Sequence, residues 1–154
     1  MARGRLAGLA AVACALLGAG CGEGGGVAKG ATVTAYVAAP LCTGAKREAS
    51  ESGDVGSVRV RVVCLPSTRN GSRLSLATVG ANARRATEDS TTIAYLEASE
   101  PTSSRFTHPI LESAGIPWIK SSSGKAAMSR LLHAVRESDS GSLRASVREA
   151  LGEQ

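Results

Sequence analysis

Residues 92–124, TIAYLEASEPTSSRFTHPILESAGIPWIKSSSG, decide how this chain is read. An apolar run at 92–96 is followed by a hydroxyl-rich turn at 97–104. A segment with Phe106, Ile110, Leu111 and Ala114 on one helical face comes next, then a short apolar run at 116–119 and a second hydroxyl-rich turn at 120–124. The order is therefore strand, turn, helix, strand, turn. Two strands joined by a helix run parallel, which puts both turns at the C-terminal edge of the sheet, where α/β proteins bind their ligands. Gly115 closes the helix. Pro109 inside it removes the hydrogen bond to the Arg105 carbonyl, which predicts a kink or a late start near His108.

The preceding residues supply two more strands. ATVTAYVAA at 31–39 is β-branched and apolar, and Pro40 ends it. A short helix at 45–52 is stopped by Gly53. VRVRVV at 58–63 alternates valine with arginine, the pattern of a half-buried strand at a sheet edge. Arg59 and Arg61 are then either an anion patch or charges that discourage stray strand pairing. Residues 66–73 form a loop with Asn70-Gly71 as its turn, and a helix starts at about Ser75. Leu76, Val79, Ala83 and Ala86 would face the sheet and Arg84, Arg85 and Glu88 the solvent. Beyond residue 124, Met128, Leu131, Leu132 and Val135 mark an amphipathic helix. Ser142 caps a last one that turns Leu143, Val147, Ala150 and Leu151 inward. The expected fold is α/β: a small parallel sheet of four strands in the order 2-1-3-4, flanked by helices, in one lobe over residues 31–154.

The 154 residues, 43% hydrophobic and 3% aromatic, suit one domain with an aliphatic core. Residues 1–20 stand outside it. Arg3 and Arg5 precede an uncharged apolar run at 6–19, too short for a comfortable membrane span, which reads as a secretion signal. Leu17-Gly18-Ala19-Gly20-Cys21 follows and resembles a bacterial lipoprotein signal, which implies lipid on Cys21 and anchoring to the outer face of the cell membrane. An ordinary cleaved signal is the alternative. Residues 21–30 are a glycine-rich linker near the lipid. Removing Arg3 and Arg5 from the 18 basic residues leaves a mild positive excess over the 13 acidic ones, too little to argue for nucleic acid.

Cys42 and Cys64 each stand just beyond the end of a strand, the first and the second. If those strands are neighbours, their ends lie about 5 Å apart, within disulfide reach. Export to an oxidising compartment makes a Cys42–Cys64 bridge the expectation.

AlaAsnAlaArgArgAlaThrGluAsp at 81–89, then TTIAYL, PILESAGIPWI and a Ser/Thr-rich turn, resemble the N-terminal lobe of type 1 periplasmic binding proteins. Among these the branched-chain amino-acid-binding components of ABC transporters are the nearest in kind. The likeness covers residues 31–124. It implies a small amino-acid-like solute as ligand, an ABC permease as partner, and a disulfide between the first two strands. By position it implies ligand contacts from Ser99, Thr102, Ser103 and Ser104 in the first turn and from Ser121, Ser122 and Ser123 in the second. Hydroxyls and backbone N–H groups at helix N-termini suit a carboxylate without any fixed cation. Glu97 and Glu100, placed in the first turn, would oppose one. The stretch from Ala126 onward reads as closing helices rather than a second lobe, so a dimer mate or membrane partner would have to complete the cleft. A degenerate lobe kept for structure or interaction is the other reading.

No cofactor is expected, and no nucleophile, metal or phosphate-loop motif appears in the sequence. Ser103, His108 and Glu112 are the one triad-like trio, and three residues along a single helix converge poorly on one atom. The expectation is a binding protein rather than an enzyme.

Overall fold

The computed structural model describes residues 30–99, 101–138 and 142–152. The signal sequence, the linker up to residue 29, the lipidation candidate Cys21 and Glu100 lie outside the described residues. In chain order the elements are β1 (Ala31–Val37), α1 (Cys42–Ser52), β2 (Val58–Cys64), a hairpin of β3 (Arg69–Asn70) and β4 (Arg73–Leu74), and α2 (Leu76–Glu88). Then follow β5 (Thr92–Ala98), α3 (Pro101–Ser113), β6 (Trp118–Ser121), α4 (Gly124–Glu137) and α5 (Leu143–Leu151). Four strands form one parallel sheet in the order β2-β1-β5-β6, the expected order once the small hairpin is set aside.

Helices cover both faces. On one, Val33, Ala35, Val37, Leu96 and Ile119 of the sheet pack against Ala45 of α1, Met128 and Leu131 of α4 and Val147 of α5. On the other, Tyr36 and Tyr95 meet Ala86 of α2 and Leu111 of α3. Both central strands are buried on both faces, as their continuous apolar sequences require. The β2 edge is charged. Arg59 makes a two-pronged contact with Asp54, at 2.9 and 3.2 Å, while Arg61 donates to Thr34 Oγ1 at 2.9 Å and lies 3.6 Å from Asp89.

The bridge between Cys42 and Cys64 is formed, with the two Cα atoms 5.6 Å apart. It ties the first residue of α1 to the last residue of β2.

Several boundaries differ from the sequence reading. Helix α1 begins at Cys42 rather than at residue 45. The loop at 66–73 is closed by the β3–β4 hairpin, with Gly71 at φ 60°, a left-handed conformation glycine adopts without strain. Leu76 is 53% exposed at the first position of α2. The buried face of that helix includes Asn82 beside Val79, Ala83 and Ala86, its Nδ2 donating to the Pro66 carbonyl at 3.0 Å. Helix α3 runs unbroken through Pro109. Pro109 and Arg105 are both exposed, so water can take the carbonyl that the proline leaves without a donor.

Helix α5 is fastened to the N-terminal end of the sheet by two arginines. Arg144 donates to the carbonyls of Thr92 and Ser90, at 2.8 and 3.2 Å, and Arg148 donates to that of Gly115.

Candidate functional site

The C-terminal edge of β5 and β6 carries the expected hydroxyl segments, and the parallel register Glu97↔Lys120 and Ala98↔Ser121 sets them side by side. Ser99 extends the pairing by one more bond, its N–H donating to the Ser121 carbonyl at 3.2 Å. The second segment is shaped by its own serines. Ser121 Oγ donates to the Ser123 carbonyl at 3.0 Å and accepts from the Ser123 N–H at 3.1 Å. Ser123 is the N-cap of α4, accepting from the Ala126 N–H at 3.4 Å. The hydroxyls of Ser99, Thr102 and Ser122 are exposed and make no hydrogen bond among the described residues. The N-termini of α3 and α4 begin at this edge, so the positive ends of both helix dipoles point toward it.

The first segment is shorter than its sequence suggests. Strand β5 continues to Ala98 and α3 starts at Pro101, so Thr102, Ser103 and Ser104 belong to the first turn of a helix. Ser103 and Ser104 are buried, 4% and 6% exposed. With Thr107 and Leu111 they form the inner face of α3, while Phe106, expected on that face, is 47% exposed.

Glu97 explains this inversion. It is the penultimate residue of β5 and only 4% exposed, not a member of an open turn. Trp118 Nε1 donates to one carboxylate oxygen at 3.1 Å and Thr107 Oγ1 to the other at 3.3 Å. Burial pushes its pKa up, and hydrogen bonds from Ser103, Trp118 and Thr107, with the nearby Lys120 charge, pull part of the way back. A phenylalanine over this carboxylate would leave it without donors, at a cost that exceeds the gain from burying the ring. Glu97 therefore does not stand in an open turn as expected; its carboxylate is enclosed and matched by donors. The sequence carried one sign of the cluster, the i, i+4 spacing of Ser103 and Thr107. Trp118 and Lys120 were not legible as its partners.

Two glycines bring the start of α1 and the start of α4 together. A Cβ on Gly124 would lie 1.9 Å from the Leu41 carbonyl oxygen and 2.9 Å from the Ala45 nitrogen, and one on Gly44 would lie 3.0 Å from the Lys125 nitrogen. Neither glycine has a positive φ. Their role is close approach, which sets where the α4 N-terminus stands relative to the edge.

The trio Ser103, His108 and Glu112 does not converge. Nine residues of continuous helix put Ser103 and Glu112 about 13 Å apart along the axis. His108 Nδ1 lies 3.7 Å from Glu112, and the imidazole packs on Trp118 instead, with centroids 4.7 Å apart. His133 pairs with Glu137 at 3.1 Å on the exposed side of α4. Among the described residues no three His, Cys, Asp or Glu side chains are grouped to hold a metal ion, and no helix is long and apolar enough to cross a membrane.

No protein-family model matches the chain, and no curated protein or solved structure is significantly similar to it. Its architecture alone places it, as an α/β domain with a four-strand parallel sheet between two layers of helices.

Proposed function

We propose that this chain is a single ligand-binding lobe that receives the carboxylate of a small amino-acid-like solute at the C-terminal edge of β5 and β6. In this reading it is an exported protein, held at the outer face of the membrane by lipid on Cys21, that serves an ABC permease in the manner of the periplasmic binding proteins its sequence resembles. A dimer mate or the permease supplies the opposing wall. One observation carries the reading. Ser99, Thr102 and Ser122 present exposed, unengaged hydroxyls at the edge where α3 and α4 begin, while the Glu97 carboxylate is enclosed and Glu48 is paired with Lys125.

Of the seven expected contacts, Ser99, Thr102 and Ser122 would touch the ligand through their hydroxyls and Ser121 and Ser123 through the backbone of the turn they shape. Ser103 and Ser104 act from beneath. The burial of these last two favours a second reading, a degenerate lobe kept as an interaction protein, in which the hydroxyls serve only the fold.

Thermal unfolding with a panel of amino acids separates the two. A ligand at 100 times its Kd stabilises by about 2.7 kcal/mol, and Ser122→Ala with Thr102→Ala should remove that gain without lowering the ligand-free Tm. A panel with no effect at any protein concentration sinks the ligand-binding reading, and a gain that survives both substitutions shows that the site is elsewhere.

A further inference from the structure

A second cleft lies at the flank of the sheet, away from the hydroxyl edge. Its volume is about 340 Å³, and it is lined by His108 and Glu112 of α3, Trp118 at the start of β6, Arg148 and Leu151 of α5, and residues 115–117. This volume lies at the small end of the range of ligand pockets. The N-terminal end of β6 opens into it, so it shares no residue with the serine segments.

Its aromatic wall is held rigidly. The Trp118 indole donates to Glu97 at 3.1 Å, carries the Lys120 ammonium 4.5 Å from its ring centroid, and has the His108 ring against it. Three restraints fix a half-buried tryptophan whose ring would otherwise swing, and a fixed ring loses little entropy when a second ring packs on the wall. Opposite, Arg148 makes one hydrogen bond among the described residues, to the Gly115 carbonyl, out of the five N–H groups of a guanidinium. The remaining fork is suited to a carboxylate. Leu151 adds an apolar end. Among the described lining residues Glu112 is the one acid an anion would meet, and it stands at the exposed rim.

We propose that this cleft binds a small aromatic carboxylate, the ring against His108 and Trp118 and the carboxylate on Arg148. This site does not depend on the amino-acid reading of the serine edge.

The chain has one tryptophan, and its fluorescence reports on this wall. Phenylacetate should change that emission saturably in the purified protein, whereas acetate, which lacks the ring, and benzyl alcohol, which lacks the charge, should not at equal concentration. Arg148→Ala should weaken the phenylacetate response by roughly ten- to hundredfold, the loss of a charged hydrogen bond. Arg148 also anchors Gly115, so a second variant is needed that leaves the fold alone. Glu112→Gln, at an exposed position, should tighten phenylacetate by about two- to fivefold as the like charge disappears. Ser122→Ala should leave the response unchanged, which separates this cleft from the serine edge. The proposal is overturned if phenylacetate gives no saturable change, if acetate alone reproduces it, or if Glu112→Gln leaves the affinity unaltered.

Discussion

Opening the Cys42–Cys64 bridge is the sharpest perturbation this fold offers. The bridge closes a loop with a sequence separation of 22 residues. In the chain-entropy treatment a loop of that length lowers the entropy of the unfolded chain by about 11 cal/mol/K, or about 3.4 kcal/mol at 25 °C. For a domain of this size that corresponds to about 10 °C in Tm. The free energy comes from the unfolded state, because β1 and β2 are already paired along their length up to Val37↔Cys64 and hold the two cysteines close without the bond. Reduction should therefore destabilise without unfolding. Urea unfolding followed by circular dichroism, on the protein with and without reductant, is the assay. The midpoint should fall on reduction and the slope m should rise, as the freed chain exposes more surface. Cys64→Ala alone should match the double variant with Cys42→Ala to within about 0.5 kcal/mol and should no longer respond to reductant. Equal midpoints for the oxidised and reduced proteins would refute the loop-closure reasoning.

Three other substitutions probe the packing at the two ends of the sheet. Gly124→Ala, which in an ordinary helix would stabilise by up to about 1 kcal/mol, should instead destabilise by about 1–3 kcal/mol, because its Cβ meets the Leu41 carbonyl at 1.9 Å; equilibrium unfolding gives the sign. Glu97 has its folded pKa raised by burial, so its contribution to stability is fully present below the unfolded value of about 4.3 and is lost as pH rises through the folded value. Glu97→Gln should therefore gain on the wild type as pH rises above about 4.3, read as the difference between their urea midpoints; a difference independent of pH contradicts the buried acid. Asp89 is the opposite case. Hydrogen bonds from Thr91 above all, with help from Tyr36 and the Arg61 charge, hold its carboxyl below the usual range, so its contribution is present above about pH 3.9 and lost as pH falls through the folded value. Asp89→Ala should cost about 1–3 kcal/mol at neutral pH and leave the protein less sensitive to acid than the wild type.

The sheet was legible because each strand announces itself locally. The alternation at 58–63 pointed to an edge and the apolar runs at 31–37 and 92–96 to buried strands, and the sheet has them so. The bridge followed from that order. What the sequence concealed was polar burial. Leu76 and Phe106 were assigned to the core because they are apolar, yet Asn82 and Thr107 occupy the inner faces of their helices because the Pro66 carbonyl and the Glu97 carboxylate need donors there. A hydrophobic pattern ranks residues by their own transfer energy and is blind to a partner ten or more positions away. The same blindness made the hydroxyls of 99–104 look like one exposed set, although Ser99 and Thr102 face solvent and Ser103 and Ser104 do not.

The fastening of α5 has a consequence for the order in which the chain can fold. Leu143 and Val147 complete a core whose other members lie between residues 33 and 135, and Arg144 reaches back to carbonyls 52 and 54 positions earlier. As the chain folds, the sheet can pair and the bridge can close while the cavity meant for α5 is still open to water. The domain gains its final cooperativity only when α5 docks, and until then the partly built layer around Ile93 and Leu131 is a surface that chaperones or proteases can read.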